Sequence, residues 1–367
     1  MRATVAAILE TVDVQVDGAR PWDIHVHDER FFRRALTEGA LGLGESYMQG
    51  WWDADSVDQL FARLARLDPR RIPIPWSLKW LLLQDRIVNR QRRARAHRIG
   101  EHHYDLGNDL FRAMLDPRMA YSCGYWKDAR TLAEAQEAKL DLVCRKLGLR
   151  AGQRVLDIGC GWGSFVRFAA ERYGVTALGV NNSAEQTALG RELCAGLPVE
   201  IRQQDYRDVT GTFDHVVSIG MFEHVGPRNY RTYFEVARRC LKEDGLLLLH
   251  TIGSHAAGKT VDAWTEKYIF PDGAQPSIGQ IASGIEGRFV MEDWHNIGAD
   301  YDPTLMAWFA NFDGAWATLR DRYDEVFHRM WKYFLLSCAG SFRARRNNVW
   351  QVVLSPRGVP GGYRGVR

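Results

Sequence analysis

The run Arg154-Val155-Leu156-Asp157-Ile158-Gly159-Cys160-Gly161-Trp162-Gly163 constrains this chain more than any other stretch. A segment suited to a buried strand meets three glycines at alternate positions, and Phe165, Phe168, Ala169 and Tyr173 then recur at helical spacing. The chain must therefore turn sharply from strand to helix, through residues whose missing Cβ leaves the backbone open to close approach. The pattern repeats downstream. Val175–Val180 reads as a second strand and Ala184–Cys194 as a second helix. Val199–Arg202, His215–Ile219 and Leu246–His250 read as further strands, with a helix near Tyr230–Leu241. Alternation of this kind predicts an α/β fold with a parallel, doubly wound sheet. Beyond residue 300 an aromatic helical region (Trp308, Phe309, Trp316, Trp331, Phe334) leads into Val349–Leu354, which is expected to close the sheet edge.

At 367 residues the chain exceeds one average domain. Its first 85 residues read as a smaller α-rich unit. There Val57, Leu60, Phe61, Leu64 and Leu67 follow a helical period after the capping residues Asp55 and Ser56. Next come Trp76–Leu83 and then Arg86, Arg90, Arg92, Arg93, Arg95 and Arg98. Apolar and aromatic residues beside clustered arginines suit an amphipathic segment drawn to anionic headgroups; a solvated linker helix docked on its neighbour explains them as well. The expected organisation is an α-rich domain over 1–85, a basic linker over 86–100 and the α/β domain over 101–367.

A formal charge of +3 gives no argument for nucleic acid. The six cysteines (Cys123, Cys144, Cys160, Cys194, Cys240, Cys338) form no CxxC pair and no His-partnered ligand set, so a reduced, cytoplasmic protein without a metal site is expected. Val5–Leu9 is too short for a signal-peptide core. Pro73, Pro75 and Lys79 interrupt the best candidate for a membrane span.

The glycine loop alone suits several nucleotide-type ligands. Three features turn it towards S-adenosylmethionine. Asp157 precedes the first glycine, where class I methyltransferases carry an acid; Gly163 falls one position early for the dinucleotide pattern; and Gln204-Asp205-Tyr206 after the third strand can bring a carboxylate to an adenine amino group. At the end of the second strand stands Asn181-Asn182 rather than an acid, so Asn181 or Gln186 is the candidate for the ribose hydroxyls. Tyr121, Ser122, Asp157, Gly159, Cys160, Gly161, Gly163, Asn181, Gln186, Asp205 and Tyr206 make up the expected cofactor site.

Taken with His103–Asn108, Tyr121-Ser122-Cys123, Met221–Gly226, His250–Gly253, Tyr268–Pro271, Glu292–His295, Gly298–Tyr301 and Cys338-Ala339-Gly340, these residues resemble the cyclopropane-fatty-acyl-phospholipid synthases. Gly44–Met48 and Gly50-Trp51-Trp52 extend the resemblance towards the N-terminus, while Asn181-Asn182 departs from the usual Thr-containing turn. The resemblance implies that a cis-alkene of a phospholipid acyl chain attacks the sulfonium methyl, and that loss of a proton from that methyl closes a cyclopropane ring. It further implies that bicarbonate takes the proton, held at Cys123, Glu223, His250, Ile252 (through its backbone) and Tyr301. A reactive cysteine is implied at Cys338, although the chemistry needs no thiol nucleophile. It also implies a peripheral protein at the inner face of the membrane, and a homodimer that the N-terminal domain helps to form.

Plainer roles stay open at this stage. Cys123 and Cys338 also suit small buried positions. Glu223 and His224 also suit helix caps, and Glu223 would repel an anion unless it is protonated or orients His250. Two other activities remain: methylation of a lipid alkene without ring closure, and N-methylation of a small molecule.

Overall fold

Strands β1 (Arg154–Ile158), β2 (Thr176–Asn181), β3 (Val199–Gln203), β4 (Phe213–Ile219), β5 (Leu241–Ser254), β6 (Val290–Asn296) and β7 (Asn347–Ser355) form one sheet. This computed structural model describes residues 1–67, 106–258 and 261–367. The strand order is β3-β2-β1-β4-β5-β7-β6. The first five strands run parallel, and β7 is antiparallel to both β5 and β6.

The doubly wound, mostly parallel sheet forms as expected. One expectation is corrected here: Val349–Leu354 does not close the sheet edge. From Asn348 to Ser355 every residue of β7 is buried, as a run with so little polar alternation requires. The edge falls to β6, where Glu292, Asp293, His295 and Asn296 supply the polar groups that an open strand edge tolerates.

The long apolar run of β5 shows how the core is divided. Leu247 and Leu249 join Leu156, Ile158, Val216 and Tyr233 on one face, whereas Leu246 and Leu248 join Val155, Val217, Phe165 and Phe168 on the other. Successive side chains of a strand point to opposite faces, so a continuous apolar run serves two helical layers. Helix α1 (Leu132–Leu147) belongs to the second layer. It begins with a capping box between Thr131 and Glu134 and ends at Gly148 in the left-handed conformation (φ 62°). Helices α2 (Ser164–Tyr173), α3 (Ala184–Leu193) and α4 (Tyr230–Cys240) lie between successive strands, as their spacing predicts.

These elements belong to a compact unit made of Met114–Val261, Asp272–Trp308 and Arg345–Arg367; a second unit comprises Met1–Ala113, Asp262–Pro271 and Phe309–Ala344. In this second unit the helices Ala40–Met48, Val57–Leu64, Ala263–Tyr268 and Glu325–Arg343 surround the buried aromatic side chains Tyr47, Trp52, Trp264 and Tyr333. Gly340 lets Glu325–Arg343 lie directly on the Asp58 carbonyl of the helix Val57–Leu64. Ser56 is the N-cap of that helix, but its hydroxyl makes no capping bond. The Trp76–Leu83 and Arg86–Arg98 segments, the expected boundary over 86–100 and the start of the His103–Asn108 motif lie outside the described residues.

Candidate active site

The glycine loop leaves β1 with Gly159 at φ 87° and Gly161 at φ 55°. A Cβ on Gly159 would stand 2.5 Å from the Met221 side chain, whereas one on Gly161 would meet nothing within 4 Å. The amides of Gly159 and Cys160 donate to the Val180 carbonyl at 2.8 and 3.1 Å. Asn181 Nδ2 donates to the Gly161 carbonyl at 2.9 Å, while its Oδ1 accepts from the Ser183 amide at 2.8 Å and the Thr187 hydroxyl at 3.2 Å. Asn181 thus shapes the loop through both ends of its side-chain amide. Gln186 sits half-buried in the first turn of α3, which Ser183 caps.

Asp157 closes the inner wall of this cradle. It is 2% exposed, and its Oδ1 has no hydrogen-bond partner among the described residues. Burial pushes its carboxyl up to about 7, against the opposing charge of Lys139. Lys139, itself buried and brought down to about 8 by desolvation, donates to Ser122 Oγ at 2.8 Å. Gln136 donates to the Ser122 carbonyl, also at 2.8 Å. One face of α1 therefore fixes the Tyr121-Ser122 segment, and Tyr121 packs against Trp308 with ring centroids 5.1 Å apart. Beyond β3, Asp205 accepts from the backbone and guanidinium of Arg207, which hold its carboxyl below the usual range despite partial burial. Tyr206 is buried against Tyr233. An orphaned buried carboxylate oxygen, an open glycine turn and a second carboxylate at the carboxyl ends of parallel strands fit a ligand that carries hydroxyl and amino groups.

A second polar group gathers around the end of β5. Glu223 Oε1 accepts the Ile252 amide at 2.6 Å, and its Oε2 is buried without a partner among the described residues. Burial pushes this carboxyl up to about 7. His250 precedes Ile252 by two residues on the same strand and is 2% exposed; Gln351 Nε2 lies 3.3 Å from its Nδ1. Desolvation first, then the charges of Lys139 and Lys146, drive the imidazole pKa well down and keep the ring neutral. Cys123 Sγ lies 3.2 Å from the Gly124 carbonyl and 3.8 Å from that of Ile297. Ile297 in turn donates to Val349, which pairs with Ile252. Tyr301 opens the helix Tyr301–Gly314 and meets Trp308 edge-on at 5.8 Å.

Cys123, Glu223, His250, Ile252 and Tyr301 therefore all fall in the unit that carries the sheet, linked by short chains of contacts. The Ile252 amide is engaged by Glu223, and the side chain that meets His250 Nδ1 is Gln351. Among the described residues Glu223 caps no helix. Cys338 lies in the other unit, on Glu325–Arg343, where burial and the Asp262 charge push its thiol up to about 12. His295 Nδ1 lies 3.1 Å from the Lys146 ammonium.

Sequence reasoning passed over Gln136, Lys139, Trp308 and Gln351. The first two carried a legible signal: polar residues three apart among Ala135, Leu140 and Val143 on the buried face of a helix.

A family model described as mycolic acid cyclopropane synthetase matches residues 91–352. The chain is 52% identical over 361 residues to the cyclopropane-fatty-acyl-phospholipid synthase of Escherichia coli (strain K12), covering 98% of this chain and 94% of that one. It is 35% identical over 354 residues to the tuberculostearic acid methyltransferase UfaA1 of Mycobacterium tuberculosis, covering 89% and 82% of the two chains. Among solved structures, the mycolic acid cyclopropane synthase CmaA1 complexed with SAH and CTAB is similar with a TM-score of 0.63 at 33% identity, over 69% of this chain and 95% of that one. The chain belongs to the mycolic acid cyclopropane synthetase family and is an S-adenosylmethionine-dependent methyltransferase.

Proposed function

We propose that the protein is a cyclopropane-fatty-acyl-phospholipid synthase, which adds a methylene bridge to the cis double bond of phospholipid acyl chains. The observation that carries this reading is the 52% identity with a synthase of that name over 98% of the chain. S-adenosylmethionine supplies an electrophilic methyl, and bicarbonate supplies a small anionic base. Tyr121, Ser122, the glycine loop, Gln186, Asp205 and Tyr206 hold the first. Cys123, Glu223, His250, Ile252 and Tyr301 hold the second.

An alkene needs no nucleophile activation, so these residues work by positioning and by excluding water. The faces of Tyr121, Tyr301 and Trp308 stabilise positive charge on the acyl chain through their π systems. Neutral His250 donates a hydrogen bond to the base. A proton on Glu223 removes the repulsion that two adjacent anions would suffer, and its carboxyl, raised to about 7, holds that proton near neutrality.

The α-rich unit, with the Trp76–Leu83 and Arg86–Arg98 segments, engages the anionic membrane surface and supports a homodimer. Among the described residues no helix is long and apolar enough to cross a membrane. Incubation with unsaturated phospholipid vesicles and S-adenosylmethionine, followed by mass analysis of the lipid, tests the proposal. A gain of one CH₂ in a chain that resists mild hydrogenation supports it. A saturated branched chain, heavier than the substrate by one CH₂ and two further hydrogens because a hydride donor must quench the cation, instead supports the methylating reading, which the relationship to a tuberculostearic acid methyltransferase keeps in view.

A further inference from the structure

Gln351 occupies the middle of a polar row that crosses three strands. In the register of the sheet it pairs with His250 of β5 on one side and with His295 of β6 on the other. It is fully buried in a strand whose other neighbours are Val349, Trp350, Val352 and Val353. A buried primary amide in such a strand is costly unless it bonds. Its Nε2 lies 3.3 Å from His250 Nδ1, while its Oε1 has no partner among the described residues.

An amide nitrogen offers only hydrogens, so the atom facing it must offer a lone pair. That leaves Nδ1 of His250 bare and places the ring proton on Nε2. We infer that Gln351 is a positioning residue that locks His250 as the Nε2–H tautomer, making the imidazole a fixed hydrogen-bond donor and not a base.

The surroundings act in the same direction. Protonating Nδ1 would set two donors face to face, and the Lys139 and Lys146 ammonium groups of α1 oppose a third positive charge. Such a donor suits an oxygen of a small anion. It also leaves proton removal from the transferred methyl to a group other than His250. This inference rests on the bicarbonate reading given above for the ligand, but not for the tautomer.

Nitrogen-15 NMR of histidine-labelled protein reads the tautomer directly. His250 should show a protonated Nε2 and a bare Nδ1 across neutral pH. Q351E replaces the donor with an acceptor and should place a proton on Nδ1; Q351M removes the partner and should give a mixed tautomer signal. Both variants should raise the KM for added bicarbonate in decarbonated buffer by about tenfold, as expected for one misplaced hydrogen bond. Affinity for S-adenosylmethionine and melting temperature, measured alongside, show whether the fold survives; if Q351E does not fold, Q351M carries the test. A protonated Nδ1 in the unsubstituted protein, or a tautomer unmoved in a folded variant, overturns the inference. If the tautomer shifts as stated while turnover ignores bicarbonate in every protein, the positioning role stands and the bicarbonate reading falls.

Discussion

Oε1 of Glu223 accepts the backbone amide of Ile252 at 2.6 Å, joining the turn after β4 to the end of β5. The contact fixes one carboxyl oxygen and leaves the other enclosed and unpartnered among the described residues. A carboxyl held in this way has two separable functions: it orders the strand end, and it presents a group whose proton inventory changes near neutrality.

Glu223→Gln retains the shape but presents an amide in place of the carboxyl. We expect turnover to fall roughly 10²-fold, the usual scale for a misplaced acid–base group, with S-adenosylmethionine affinity changed little. Steady-state kinetics with calorimetric titration of the cofactor checks this. Unchanged turnover would remove Glu223 from the site.

Asp157 gives a pH-dependent prediction. Burial raises its folded-state carboxyl to about 7 from an ordinary value of 3.8, so the folded protein binds this proton more tightly than the unfolded chain does. Its contribution to stability is present at low pH and is lost as pH rises from about 4 to about 7. Without cofactor, Asp157→Asn should therefore gain in melting temperature over the parent protein as pH rises through that window. The same variant should lose cofactor affinity by about tenfold or more, as expected when a hydrogen-bonding carboxylate is removed. Scanning calorimetry at several pH values and isothermal titration read the two effects.

Gly159→Ala tests the loop. Its Cβ would fall 2.5 Å from Met221 at a φ of 87° that side chains rarely adopt. Strain of this kind costs about 1–3 kcal/mol. Cofactor binding should weaken more than the melting temperature alone would suggest, because the shifted backbone is the binding surface. Gly148→Ala, also at positive φ but with open space around it, serves as the control that should spare affinity.

How much of this was legible in the sequence follows from the range of the forces involved. The strand β1, its glycines and the helices after it are written in local pattern, and they form where the spacing places them. The position of Val349–Leu354 was not legible. An apolar run states that a strand is buried, but not which neighbours bury it, and here β6 takes the edge. The same limit applies within the site. Asp157 was evident from its place before Gly159, whereas Lys139 reaches Ser122 across 17 positions and Gln351 reaches His250 across 101. Nothing in a linear pattern announces such partners, apart from a polar residue on an apolar face.

Cys338 should be dispensable for chemistry. A nucleophilic cysteine needs its thiolate, and this thiol, pushed up to about 12, remains protonated at neutral pH. Cys338→Ser should keep turnover within about threefold of the parent protein while lowering stability by about 1 kcal/mol, typical of a small polar change at a half-buried position. A loss of several orders of magnitude in a folded variant would restore a chemical role.

The most direct test of the central claim follows the hydrogens of the transferred methyl. With CD₃-labelled S-adenosylmethionine and unsaturated phospholipid vesicles, ring closure must remove one deuteron from that methyl. The account predicts product acyl chains that carry CD₂ in a three-membered ring. Product chains that retain the full CD₃ would show methyl transfer without ring closure and would contradict it.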